Sequence, residues 1–116
     1  METGFRTKKS FEKRFDESMN VLTKYPDRIP IIVERHHDCK LCEIDKSKYL
    51  VPKDMTMGQF TYIIRKRISL DSSQSIFISV NGSLSSSSDI ISHIYENKKD
   101  EDGFLYITYT SENTFG

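Results

Sequence analysis

The 116-residue sequence predicts an α+β domain in which a hairpin, a crossover helix and a final central strand form the body. Three observations carry that reading. Residues 28–34 and 48–52 are two runs rich in β-branched and aromatic side chains, separated by a polar stretch, and they read as the arms of a long-looped hairpin. Thr56 and Gln59 stand three positions apart ahead of an apolar stripe, the signature of a capped helix start. Residues 104–110, Phe-Leu-Tyr-Ile-Thr-Tyr-Thr, put bulky side chains on both faces, as a strand covered on both sides does.

Each element has its own warrant. Residues 5–9 are apolar and basic and read as a short helix. Phe11, Phe15, Met19 and Leu22 recur at i, i+4, i+8 and i+11, which predicts an amphipathic helix of about three turns with these residues as its buried stripe. Pro26 ends it. In residues 28–34, Pro30 denies the ladder a donor, which predicts that one flank of this strand lies open. Residues 36–46 are polar and irregular. The helix opened by Thr56 buries Phe60, Ile63, Ile64 and Ile68 and leaves Arg65, Lys66 and Arg67 in solvent. A third strand at 76–80 turns through Asn81-Gly82, the strongest short hairpin signal, into a brief return at Ser83-Leu84. Ser85 to Ser88 has linker composition, and Asp89 is the expected cap of a short helix carrying Ile90, Ile91, Ile94 and Tyr95. Residues 98–103 make a charged turn, and residues 111–116 lack any pattern and read as a mobile tail. This order of elements is that of the ubiquitin-like β-grasp fold.

Composition narrows the function. Hydrophobic residues at 36% and charged residues at 29% fit one soluble globular domain spanning 1–116. No apolar run approaches the ~18 residues of a membrane span, and the first residues lack the basic-then-apolar order of a secretory signal, so an intracellular, cytoplasmic home is expected. The formal charge is zero, which argues against nucleic acid as a partner. The charge is nonetheless split: residues 1–67 stand at +5 and residues 68–116 at −5, suggesting a basic face for acidic partners or anionic head groups.

Little in the chain reads as catalysis. Cys39 and Cys42, with His36 and His37, make half of a zinc site, but no second cysteine pair exists and only His93 is left to join from afar. Adjacent histidines also point apart in an extended chain. The expectation is a solvated loop with two free thiols, no metal and no cofactor. No signature supplies a base and an oxyanion hole to a cysteine nucleophile, and no Gly-rich phosphate loop is present, so the chain is not expected to be an enzyme. The second strand says more. Lys48 and Leu50 alternate with Tyr49 and Val51, so one face can meet the core while the other offers apolar surface beside a free edge, as addition of a peptide strand requires. Burial on both faces is the alternative.

From Lys24-Tyr25-Pro26-Asp27-Arg28-Ile29-Pro30-Ile31-Ile32-Val33-Glu34 onward a resemblance emerges. With Phe11-Glu12-Lys13-Arg14, Leu50-Val51-Pro52, Gly58-Gln59-Phe60, Ile64-Arg65-Lys66-Arg67-Ile68, Phe104-Leu105-Tyr106-Ile107 and Phe115-Gly116, nearly the whole chain resembles the ubiquitin-like autophagy modifier family that includes the GABA-receptor-associated proteins.

That resemblance implies a β-grasp core at 28–110 with two additional N-terminal helices in residues 1–25, and a conjugation tail at 111–116. It implies that Gly116 is joined to phosphatidylethanolamine by activating, conjugating and processing enzymes that own the catalytic cysteines, so that the lipidated form sits on autophagosome or related vesicle membrane. Glycine suits the role because a residue without a side chain admits its carboxyl to a narrow cleft. Cargo receptors and autophagy factors with aromatic-x-x-aliphatic motifs would add to the second strand. Carried over by position, the aromatic pocket resembles Glu17, Val21, Pro30, Ile32, Lys48, Leu50 and Phe104. The aliphatic pocket resembles Tyr49, Val51, Pro52, Met55, Phe60, Ile63 and Ile64, and Arg28, Lys46 and Arg67 would meet acidic flanks. Gly103, where relatives often carry a bulky residue, predicts a looser floor under the aromatic pocket. A noncovalent ubiquitin-like adaptor for trafficking or cytoskeletal partners is the alternative, from which Phe115-Gly116 discriminates.

Overall fold

The computed structural model describes residues 4–37, 39, 41, 43–71 and 73–111. Its elements, in chain order, are α1 (Phe5–Lys8), α2 (Phe11–Lys24), β1 (Arg28–Arg35), β2 (Lys48–Pro52), α3 (Met57–Arg67), β3 (Phe77–Val80), β4 (Ser83–Leu84), α4 (Ile91–Lys98) and β5 (Leu105–Thr110). Hydrogen bonding orders the sheet β2-β1-β5-β3-β4, with β1 and β5 parallel and the other pairs antiparallel. Together with α3 crossing one face, this is the ubiquitin-like β-grasp, preceded by two helices.

Local chemistry accounts for most boundaries. Thr56 Oγ accepts from the Gln59 amide at 3.2 Å and Gln59 Oε1 accepts from the Thr56 amide at 2.9 Å, so the capping box is complete. Asn81 and Gly82 both have positive φ, +53° and +80°, as the tight β3–β4 turn demands. The expected cap of α4 is displaced: Ile90 holds the N-cap position without a side-chain bond, and the Asp89 carboxylate instead accepts from the Ser86 amide, closing the serine turn before it.

Alternation along the strands separates the sheet into two faces. Ile29, Ile31 and Val33 of β1 and Leu105, Ile107 and Tyr109 of β5 join Phe60, Ile64 and Ile68 around α3 in the principal core. Ile32, Phe104 and Tyr106 form a second, smaller cluster on the opposite face. β5 is buried along nearly its whole length, as its bulky pattern implied.

Four expectations change. The stripe of Phe11, Phe15 and Met19 is not buried: these residues are 46%, 40% and 38% exposed, and the two phenylalanine rings stack on each other at 5.9 Å. The helix turns Arg14, Glu17, Ser18 and Val21 to the protein instead, because its contact is polar. Arg14 donates to the buried Asp102 carboxylate at 2.6 Å, and Ser18 Oγ donates to the Asp102 carbonyl at 2.5 Å. Second, β1 has no open flank, being paired on both sides. Its Pro30 is tolerated because the ladder to β5 begins only at Ile31, opposite Leu105. Third, the 36–46 loop is not wholly solvated: Cys39 and Leu41 are buried in the principal core, while Cys42 lies outside the described residues. The His36 and His37 rings stack at 4.4 Å rather than pointing apart, since the chain turns there.

The fourth concerns Gly103. Its φ is +93°, and a Cβ built on it would overlap the Ser18 hydroxyl and stand 2.9 Å from the Ser18 Cβ. The glycine lies where Ser18 of α2 packs against the loop before β5. The floor it adjoins is tight, with Phe104 only 3% exposed.

Candidate functional site

β2 is the longer of the two edge strands and its outer side is unpaired within the sheet. The register fixes which way its side chains point. Lys48 and Leu50 lie opposite Ile32 and Pro30, and Tyr49 and Val51 opposite Ile31 and Ile29. The first set therefore shares the face of the Ile32, Phe104 and Tyr106 cluster, and the second shares the face of α3. Burial on both faces does not hold along its length, since Lys48 is exposed and Tyr49, Leu50 and Pro52 are half-buried.

On the α2 side, the residues predicted for the aromatic pocket come together. Pro30, Ile32 and Phe104 are buried, Leu50 and Val21 half-buried, and Glu17 and Lys48 stand at the rim. Glu17 accepts from Lys48 Nζ at 2.7 Å through one carboxylate oxygen and from Lys9 Nζ at 2.8 Å through the other. Burial works to raise the Glu17 carboxyl, but the bonds from Lys48 and Lys9 outweigh it and hold the group below its ordinary value. Its folded pKa being depressed, the stability this clasp contributes is present above the ordinary carboxylate value of about 4.3 and is lost as pH falls through the lowered one. The Glu17 bond likewise holds the Lys9 ammonium above its ordinary value.

On the α3 side, Tyr49 meets Phe60 edge-on at 5.3 Å. Phe60 and Ile64 are fully buried and act as floor, while Met55 and Ile63 are half-buried and line the surface. Burial pushes the Tyr49 phenol up, and its hydroxyl has no hydrogen-bond partner among the described residues. Pro52, half-buried, ends the strand opposite Arg28. Of the three cations predicted to meet acidic flanks, Arg28 is exposed, Lys46 lies over the Tyr49 ring at 5.0 Å, and Arg67 is already held bidentate by Asp45 at 3.1 and 3.2 Å. Gly116, with Phe115, lies outside the described residues.

Sequence reasoning passed over Phe5, Lys9 and Asp45, which touch these groups directly. An aromatic residue followed by Arg6, Lys8 and Lys9 was the available signal for the first two; Asp45 carries none. Among the described residues, no three His, Cys, Asp or Glu side chains gather as a metal site, and no helix is long and apolar enough to cross a membrane.

Comparison with known proteins is extensive. Residues 13–116 match the family model described as autophagy protein Atg8, ubiquitin like. The chain is 54% identical over 112 residues to autophagy-related protein 8e of Arabidopsis thaliana, covering 97% of this chain and 92% of that protein. It is 53% identical over 116 residues to autophagy-related protein 8 of Schizosaccharomyces pombe, covering 100% and 96%. The crystal structure of Trypanosoma brucei ATG8 superposes with a TM-score of 0.91 at 39% identity, covering all of both chains.

Proposed function

This chain belongs to the Atg8 family of ubiquitin-like autophagy proteins, and from that premise we propose that it is a non-enzymatic modifier with two working parts. Gly116 is conjugated to phosphatidylethanolamine by partner enzymes, which carries the protein from cytoplasm to autophagosomal membrane. The edge of β2, meanwhile, receives aromatic-x-x-aliphatic peptides from cargo receptors and autophagy factors.

One observation supports the second part above the others, the opposite orientation of the two residue sets about β2. In an extended peptide, residues three apart point to opposite sides. A peptide strand laid along β2 with that spacing therefore sends its aromatic residue toward Ile32 and Phe104 and its aliphatic residue toward Tyr49, Met55 and Ile63, or the reverse. Main-chain bonds serve any sequence, whereas the two anchors select one. The basic surroundings, Arg28, Lys46 and Lys48, favour acidic flanks and fast encounter.

Titration calorimetry with an acidic Trp-x-x-Leu peptide tests this reading. Each buried anchor contributes on the order of 1.5–3 kcal/mol, so Tyr49→Ala combined with Leu50→Ala, which trims both pockets and keeps the β2 main chain, is expected to weaken binding at least tenfold. Undiminished affinity in the folded double variant would refute the docking site. In a reconstituted conjugation with ATP and liposomes, Gly116→Ala should sharply reduce the lipid-linked mass, and equal product would refute the lipidation role.

A further inference from the structure

The floor of the aromatic pocket is closed in the free chain: Ile32 is fully buried and Phe104 is 3% exposed. What covers it is the chain's own amino-terminal segment. The Phe5 ring packs on the Ile32, Phe104 and Tyr106 cluster and meets Phe104 edge-on, 5.3 Å between centroids and 79° between planes. Lys48 Nζ and Lys9 Nζ, the two ammonium groups bridged by Glu17, lie 5.2 and 5.4 Å from the centre of the same ring. An aromatic side chain thus sits where an aromatic anchor would go, under a clasp made of two pocket residues and one residue of the strap.

We propose that Phe5 is an internal stand-in for the peptide's aromatic anchor, so that α1 has to swing aside before the pocket fills; the proposal rests on the peptide-binding reading above. The strap is built to move. α1 has four residues, none of them buried, and a single isolated turn has no helical stability of its own. Besides Phe5 and the Lys9 clasp it is held by Arg6, which pairs with Asp100 at 2.8 Å and lies 3.9 Å over the Tyr106 ring, and by the Phe5 amide donating to Glu34 at 3.2 Å. These are a few partly solvated tertiary contacts on a segment with no buried residue in its helix, of the kind that open first. Beside the strap lies a groove of about 810 Å³, lined by Phe5 and Lys8 of the strap itself together with Glu34 and Ser47, so the strap is not packed in on that side.

The arithmetic is that of a fractionally competent site: if the strap is closed in about nine molecules of ten, the apparent dissociation constant is about tenfold above the intrinsic one. Phe5→Ala removes the stand-in and leaves Glu17, Lys48 and Phe104 in place. It should therefore bind a Trp-x-x-Leu peptide about three- to tenfold more tightly than the wild type, by calorimetry at equal pH and salt. The same peptide with Trp replaced by Ala should gain nothing, because it brings no ring to compete. A chain starting at Ser10 is the second variant and should match Phe5→Ala. Equal affinity of wild type and both variants would overturn the proposal while leaving the β2 groove standing, and weaker binding would show that Phe5 is a wall of the pocket rather than its cover. If neither the wild type nor the variants bind the peptide, the groove reading itself falls.

Discussion

Replacing Gly103 by alanine tests how α2, which carries Glu17 and Val21 to the pocket rim, is seated on the sheet. Two costs are separable. The backbone is held at φ +93°, where a side chain is strained by about 1–3 kcal/mol. The new methyl also overlaps Ser18, whose Cβ would stand only 2.9 Å away, and overpacking of a tight contact adds about 1–3 kcal/mol. The sum, about 2–6 kcal/mol, is a large share of the ~5–15 kcal/mol that holds a domain together. Removing the opposing side chain separates the two. Ser18→Gly itself loses the 2.5 Å bond to the Asp102 carbonyl and places glycine inside a helix, but it opens the space the methyl needs. Gly103→Ala should then cost only the backbone part, about 1–3 kcal/mol, in that background. Urea unfolding of wild type, both single variants and the double variant gives the coupling energy directly. Equal costs of Gly103→Ala in the two backgrounds would refute the steric reasoning, leaving conformation alone to explain the glycine.

Two further outcomes follow. Thr56→Ala breaks the capping box at the start of α3 and should lower stability by about 1 kcal/mol, with Thr56→Ser restoring most of it; an unchanged urea midpoint would show that the box contributes nothing. Burial, and then the 2.5 Å bond to Asp102, push the Tyr106 phenol well above its ordinary value, and burial pushes Tyr109 up to about 12. Their folded pKa values being raised, the stability they contribute is intact below about pH 10 and is lost as pH climbs past it, at up to about 1.4 kcal/mol per pH unit for each tyrosine. In Tyr106→Phe the stability-versus-pH slope above pH 10 should be shallower by one proton's worth, and an identical slope would place the Tyr106 proton elsewhere in the balance.

What the sequence showed, and what it hid, divides by the range of the interaction. Capping at Thr56, the Asn81-Gly82 turn and the apolar face of α3 are decided within a few residues, and pattern reads them. The orientation of α2 is decided by Arg14 and Ser18 meeting Asp102, 88 and 84 positions away, so periodicity favoured the wrong face. Phe11, Phe15 and Met19 are apolar at helical spacing and still face solvent. Cys39 and Leu41 are buried from a loop, where no period exists to announce them. At the candidate site, the alternation of Lys48, Leu50 and Tyr49, Val51 was legible, but their neighbours on other elements came only from family resemblance. Phe5 escaped both, because the basic run after it is a faint cue that names no partner until the fold lays the ring against Phe104.

The sheet has two edges, and their difference explains why one of them is suited to receive a partner. β4 is two residues long and follows a tight turn, too short to template another strand. β2 is longer, and an uncovered edge of that kind invites pairing with any extended chain, including a second copy. Three of its features restrain this. It is only five residues long, it ends in Pro52, which has no N–H to offer, and it begins at exposed Lys48 with Lys46 close by. Lysine on an edge strand is compatible with an acidic peptide and unfavourable toward another basic strand. The two-faced register adds a second restraint, since a slip of one residue would send each anchor of an incoming strand to the wrong side of the sheet. On the proposed peptide-binding reading, the same short, basic, proline-ended strand that keeps the edge from promiscuous pairing would also narrow its partners to acidic peptides with anchors three residues apart.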